Sequence, residues 1–306
     1  MACHRRTCWS PVLSGCGPTR VLIVGLGYSG RAIAASLLRC GIDRVVGTTR
    51  HQEAPPPGVG TVTFDGTSVG AELRAAVEEA THLIVSVPPD ADGDPALRCL
   101  GDVVRGAGSV RWIGYLSTVG VYGDHGGRWI DERAACHPTN ERSRLRLAAE
   151  AAWRGLAGAI GAGLAIFRLA GIYGPGRSAL DNLVAGTAHR VVKPGQVFNR
   201  IHVVDVASIV TAALIREAES VFNVADDEPA PPQDVVAAGA ALLGVALPPE
   251  VPIAEAQLSP MALSFYGENK RIRNDRIKAE LGVTLAFPTY REGLAALARD
   301  RALTPR

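Results

Sequence analysis

The stretch VLIVGLGYSGRAIAASL, residues 21–37, constrains the fold more than any other part of the chain: an apolar run ends in glycines at 25, 27 and 30 and resumes with helical spacing. Gly25 permits a tight turn off a strand, Gly27 lets the backbone approach a pyrophosphate, and Gly30 allows a helix to pack closely on the strand. The amides at the start of that helix then face negative charge. Three spaced glycines alone say little. Here a strand precedes them, a helix follows, and a second strand ends about 20 residues further on, which is the context such a motif requires. Gly25, Gly27, Tyr28, Ser29 and Gly30 are accordingly read as cofactor-binding, with Val87 and Pro88 included at the end of a later strand.

The rest of the chain repeats the same rhythm. Short apolar runs (RVLIVG at 20–25, RVVGTT at 44–49, TVTF at 61–64, HLIVSV at 82–87, VRWIGYLS at 110–117 and LAIFRLA at 164–170) alternate with helix-compatible segments near 28–40, 69–80, 95–107 and 141–158. Most runs are continuously apolar rather than alternating, as strands covered on both faces should be. Strand-helix-strand repetition with right-handed crossovers gives a parallel sheet.

From about 171 the rhythm changes to Gly/Pro loops (YGPGR, KPGQ, DDEPAPPQ, LPPEVP) between short helices, with one more strand candidate, SVFNVA at 220–225. The expectation is an α/β protein: a Rossmann doubly wound parallel sheet over 20–170 plus 196–226, with a smaller discontinuous C-terminal substrate lobe over 171–195 plus 227–306. Residues 1–19 form a leader expected to be flexible. The ligand cleft belongs at the C-terminal ends of the strands.

Composition narrows the partners. A formal charge of +2 over 306 residues offers no electrostatic case for nucleic acid or a membrane surface. A small-molecule substrate is expected instead. The six cysteines (Cys3, Cys8, Cys16, Cys40, Cys99, Cys136) lack metal-ligand spacing and read as free thiols, and His4 beside Cys3 and Cys8 makes only a weak metal candidate. No run reaches the roughly 18 apolar residues of a membrane span. The leader lacks the long apolar segment of a secretory signal, so a cytoplasmic location is expected.

The end of the second strand bears on the cofactor. An acidic residue there would bind the ribose 2′-hydroxyl of NAD, whereas this chain reads Thr48, Thr49, Arg50. Arg50 can grip a 2′-phosphate with a charge-assisted fork, so NADP(H) is favoured over NAD(H), with Thr49 beside it. Asp65 in FDGT is placed to meet the adenine amino group, or else simply forms the turn before Gly66.

At this point the chain resembles a family, the extended and atypical short-chain dehydrogenase/reductases that include NAD-dependent epimerases and dehydratases. YLSTVGVYG at 115–123, PTNERSRLRLAAE at 138–150, FRLAGIYGPGR at 167–177, RIHVVDVA at 200–207 and FNVADDEP at 222–229 carry the resemblance. It implies a nucleotide-binding Rossmann domain, a small substrate lobe and a possible homodimer through helices at 95–107 and 141–158. It also implies a catalytic Ser/Thr at Thr118, or the adjacent Ser117, and a Tyr-Lys pair whose positions fall on Arg142 and Arg146. Residues 139–147 contain neither Tyr nor Lys.

A guanidinium stays protonated above a pH of about 12 and has no acceptor, so Arg142 cannot exchange the proton a tyrosine would. It could still polarise a carbonyl or hold an anion, and Arg146 could keep a ribose contact. Tyr122, Asp124 and His125 lie beyond the fifth strand, and Tyr122 or His125 is a substitute acid/base candidate. Tyr173, Asn182, Asn199, Arg200 and Lys270 fall in elements that border the family's substrate; His202 reads as a satisfied buried histidine. The functional expectation is an NADP(H)-binding oxidoreductase for a small carbonyl or hydroxyl substrate. A nucleotide-sugar-type epimerase/dehydratase and a catalytically silent NADP(H)-binding sensor or structural subunit are the alternatives.

Overall fold

The computed structural model describes residues 18–42, 44–50 and 54–303. The leader through residue 17, with Cys3, His4, Cys8 and Cys16, lies outside them, as do residues 51–53 following Arg50.

Seven strands form the central sheet: β1 (Arg20–Val24), β2 (Arg44–Thr49), β3 (Gly60–Thr63), β4 (His82–Val85), β5 (Trp112–Thr118), β6 (Gly163–Leu169) and β7 (Ser220–Val224). Their spatial order is β7-β6-β5-β4-β1-β2-β3, and every neighbouring pair is parallel. Strand order reverses between β1 and β4, which opens a crevice at their C-terminal ends. The fourth run stops at Val85 rather than 87, ahead of Pro88 and Pro89, which have no N–H for a ladder.

The helices are α1 (Tyr28–Arg39), α2 (Ala71–Glu79), α3 (Pro95–Ala107), α4 (Glu141–Ile160), α5 (Ala179–Val184), α6 (Val203–Ile215), α7 (Pro232–Leu243), α8 (Pro260–Tyr266), α9 (Asp275–Leu281) and α10 (Tyr290–Leu303). Alternate residues of each strand point to opposite faces. In β1, Val21 and Ile23 therefore pack with Ile33 and Leu37 of α1 and Ile209 and Val210 of α6. Leu22 and Val24 pack on the other face with Leu73 and Val77 of α2, Leu100 and Val104 of α3 and Trp153 of α4. Both faces being covered is why the strands read as unbroken apolar runs. Burying each such side chain stabilises the fold by about 1.5–3 kcal/mol.

A separate cluster joins α5, α7 and α10 through Tyr173, Leu180, Ala230, Val235, Tyr290, Leu294 and Leu297. Parallel two-strand pairs run beside it: 171–173 with 200–202, 190–192 with 250–252, and 129–130 with 271–272. The last ties the loop after β5 to the C-terminal elements and so helps to shape the crevice. Among the described residues no helix is long and apolar enough to cross a membrane, and no His/Cys/Asp/Glu group could hold a metal. Among the described residues, Cys99 and Cys136 are free thiols.

Candidate active site

The glycine turn has the geometry its residue types predict. Gly25 has φ of 99°, in the region only glycine enters freely, and a β-carbon there would lie 2.9 Å from Val87 Cγ1. Its amide donates to Thr48 Oγ1 at 2.8 Å, and the Leu26 amide donates to the Thr48 carbonyl at 2.8 Å, so β2 buttresses the turn. At Gly30 a β-carbon would run into the Gly25 carbonyl oxygen; here α1 rests directly on the turn. At Gly27 it would meet nothing within 4 Å. Gly27 is thus not needed by the fold, and its open side is the space a diphosphate would take.

The first turn of α1 carries no acidic residue and no side-chain cap. Its amides and the helix dipole are left to face an anion. Ser29 is buried in this turn, while Tyr28 reaches outward and donates its hydroxyl to the Pro175 carbonyl at 3.2 Å.

Around this turn, Thr49 is half-buried at the end of β2, and Arg50 is exposed with no hydrogen bond or ion pair among the described residues. Val87 is half-buried against Gly25, and Pro88 is exposed beside it. Asp65 is committed to its own turn: Oδ1 accepts from the Thr67 amide at 2.8 Å and the Ser68 amide at 3.2 Å. The Thr67 bond, the strongest influence on it, holds the carboxyl below the usual range.

At the end of β5, Thr118 Oγ1 accepts from the Gly120 amide at 3.1 Å, which caps the short turn Val119–Tyr122. A β-carbon at Gly120 would lie 2.8 Å from Ser143 Oγ and 3.4 Å from Thr118 Oγ1, so the first turn of α4, which includes Arg142, docks on the turn after β5. Arg142 is exposed, stacks its guanidinium 4.8 Å over the Phe265 ring, and has no carboxylate partner among the described residues. Arg146 donates to the Leu116 carbonyl at 2.5 Å and lies 5.7 Å over the Tyr115 ring.

Ser117, the alternative to Thr118, is instead buried and donates to Glu150 at 2.5 Å. Glu150 in turn accepts both Arg168 Nε at 3.1 Å and Arg168 Nη2 at 2.8 Å. Glu150 therefore belongs to a buried ionic lock.

Several expected site residues turn out to be structural. Tyr122 is fully buried; its hydroxyl donates to Asn223 Oδ1 at 2.7 Å, Arg168 stacks 4.7 Å over its ring, and burial pushes it up to about 12. This corrects the expectation that Tyr122 replaces the absent phenol, because a proton held so tightly in the core is not available to a substrate. The His125 ring nitrogen lies 3.2 Å from the Tyr122 carbonyl and its amide donates to the Asn269 carbonyl at 3.0 Å. Asp124 accepts from the Asn269 amide at 2.7 Å, which keeps its carboxyl low, and turns the chain at Gly126.

Tyr173 sits in the α5–α7–α10 cluster, with its hydroxyl 3.4 Å from the Thr289 carbonyl. Asn199 bridges the Lys270 carbonyl at 3.0 Å and the Ile272 amide at 2.8 Å. Arg200 donates to the Phe198 and Ala230 carbonyls, both at 3.0 Å, and Asn182 is exposed on α5. His202 is buried, and burial pushes it down to about 4. Only half of its expected satisfaction holds: Nδ1 accepts from the Val204 amide at 3.2 Å, and Nε2 has no partner.

In the segment YGENK, residues 266–270, Lys270 alone was expected near the substrate, and its neighbour Glu268 joins it in tying this segment to the loop after β5 and the start of α4. Lys270 is buried and donates to the Gly123 carbonyl at 2.7 Å and to Glu268 at 2.6 Å. Glu268 also accepts from Asn140 at 3.2 Å and from Thr139. The start of α4, the loop after β5 and the C-terminal elements therefore meet at one carboxylate. A polar run between two short helices was the signal for this segment, but nothing in the sequence showed what it would meet.

Comparison with known proteins gives the same picture. No family model matches the chain. It is 44% identical to a functionally unknown conserved protein from Silicibacter pomeroyi, with a TM-score of 0.81 over 92% of this chain and 99% of that one. A structure assigned as an NAD-dependent epimerase/dehydratase from Methylobacillus flagellatus is 26% identical, with a TM-score of 0.72 over 94% of this chain and all of that one.

The chain is similar over nearly its whole length to NAD-dependent epimerase/dehydratase-like proteins of the short-chain dehydrogenase/reductase superfamily.

Within that superfamily, the glycine turn fits an NAD(P) dinucleotide. A 3-diazoavenalumate denitrifying reductase from Streptomyces sp is 30% identical over 142 residues, which are 42% of this chain and 45% of that protein. The match spans less than half of that curated relative.

Proposed function

We propose that the chain is an NADP(H)-dependent oxidoreductase acting on a small carbonyl or hydroxyl substrate, located in the cytoplasm as a soluble enzyme and able to pair through α3 and α4. The observation that carries the cofactor preference is Arg50, which is exposed, unpaired among the described residues and next to the turn that receives the dinucleotide. No carboxylate ends β2 to repel a 2′-phosphate. The reductase name of the Streptomyces relative supports the same class.

A bound dinucleotide supplies the hydride. The chain supplies orientation and charge. Thr118 has a hydroxyl hydrogen uncommitted among the described residues, and Arg142 has a fork free of carboxylates. Both suit a carbonyl oxygen that becomes anionic on hydride transfer. Arg142 does not release its proton, so water delivers the proton to the alkoxide. Positioning and electrostatics account for the rate in this scheme.

A second reading, a catalytically silent NADP(H)-binding protein, is favoured by the commitment of Tyr122 to Asn223 and of the His125 ring to the Tyr122 carbonyl. One experiment separates the two: follow loss of NADPH absorbance against a panel of small aldehydes and ketones. The reductase reading expects turnover that falls at least about tenfold in Arg142→Leu, for one charge-assisted bond to the transition state. Tight NADPH binding with no turnover by any panel member would establish the silent reading instead.

A further inference from the structure

The loop YGPGR, residues 173–177, leaves the C-terminal elements and comes down on the first turn of α1. Gly174 and Arg177 pair through both backbone bonds, at 3.1 and 3.0 Å, which makes a tight hairpin. A β-carbon at Gly174, where φ is 157°, would lie 2.6 Å from the Tyr28 hydroxyl and 3.5 Å from His202 Nε2. The Tyr28 hydroxyl donates to the Pro175 carbonyl at 3.2 Å, and the Arg177 guanidinium lies 5.7 Å over the Tyr28 ring. Tyr28 is the first residue of α1, so the loop is pinned beside the amides that face the dinucleotide.

The charges on this loop are unbalanced. Arg177 is exposed and makes no ion pair among the described residues. The acid nearby, Asp181, is occupied by Arg301 and by the Ser178 hydroxyl at 2.6 Å. Beneath the loop, His202 is 2% exposed, and its Nε2 has no partner. Its Nδ1 accepts from the Val204 amide, so Nε2 carries the hydrogen and is a second donor without an acceptor. The Arg177 guanidinium thus lies over the first residue of a helix whose first turn has neither an acidic residue nor a side-chain cap.

We infer that Arg177 completes the cofactor site from the opposite wall, gripping the dinucleotide's diphosphate while Tyr28 holds the loop in place. This rests on the dinucleotide-binding reading of the glycine turn. An arginine fork matches two phosphate oxygens and adds charge that the backbone amides lack. The diphosphate is then caged between α1 and a loop of the C-terminal elements, and Arg50 is left to the 2′-phosphate.

The test uses fragments on the full chain, with binding read by calorimetry. ADP-ribose carries the diphosphate without a 2′-phosphate, and adenosine 2′-monophosphate carries the reverse. Arg177→Ala should weaken ADP-ribose and NADP about tenfold or more while leaving adenosine 2′-monophosphate unchanged, and Arg177→Lys should recover part of the loss. Arg50→Ala should do the opposite on the two fragments. Tyr28→Phe, which removes the pin to Pro175, should weaken ADP-ribose by a smaller factor. Unchanged ADP-ribose binding in Arg177→Ala, or equal loss on both fragments, overturns the inference. Failure of the unaltered chain to bind ADP-ribose or NADP at all would instead overturn the dinucleotide reading on which it depends.

Discussion

Gly30 faces the Gly25 carbonyl so closely that no β-carbon fits between them, whereas Gly27, two residues after the turn, faces open space. The two glycines therefore answer to different needs, one to packing and one to the ligand. Gly30→Ala should destabilise the fold by roughly 1–3 kcal/mol through overpacking. Gly27→Ala should melt like the unaltered chain yet lose dinucleotide affinity, because its methyl group would occupy the phosphate's approach. Thermal melts with and without NADPH read both effects.

The buried lock of Glu150 with Arg168 and Ser117 makes a second prediction. Glu150 is 0% exposed and Arg168 5%, so removing the carboxylate strands a guanidinium in the core. Glu150→Ala should cost about 3–5 kcal/mol in urea unfolding. Arg168→Met with Glu150→Leu together should recover much of that loss, since a buried pair is replaceable by apolar volume.

Tyr122 tests the distinction between core and catalyst. Tyr122→Phe removes one buried hydrogen bond, leaves Asn223 Oδ1 unsatisfied and should destabilise by about 1–3 kcal/mol. Turnover per folded molecule should not change.

Much of the fold was legible because its strands are buried on both faces and so read as apolar runs, and because the glycine turn is local in sequence. The site was less legible. Its connections join residues far apart: Arg142 to Phe265, Lys270 to Gly123, Tyr28 to Pro175. No periodicity encodes such contacts. Tyr122 and His125 looked available because they follow β5, the correct end of the sheet. What commits Tyr122 is Asn223 on β7, two strands across the sheet from β5, and what commits His125 is a carbonyl of the loop itself. Asp65 shows the reverse: DG is a turn signal, and the turn is what formed.

A pH prediction follows from Asp226, buried beside Arg200 and pushed up to about 8, chiefly by burial. Unfolded, it titrates near the usual carboxylate value of about 4. Between those limits the folded chain holds a proton that the unfolded chain has released, so Asp226 lowers stability as pH rises from about 4 to about 8 and contributes no further slope above that. Asp226→Asn should flatten this part of the profile. Melting temperatures of both proteins across that interval check it, and parallel profiles would contradict it.

The central claim is that backbone amides at the start of α1 hold a dinucleotide whose 2′-phosphate is met by Arg50. Its most direct test is equilibrium titration of the full chain with NADPH and with NADH. We predict saturable binding of both, with NADPH tighter by about tenfold or more and the difference abolished in Arg50→Ala. Absence of saturable binding by either dinucleotide would contradict the claim, and equal affinities unaffected by Arg50→Ala would contradict its selectivity.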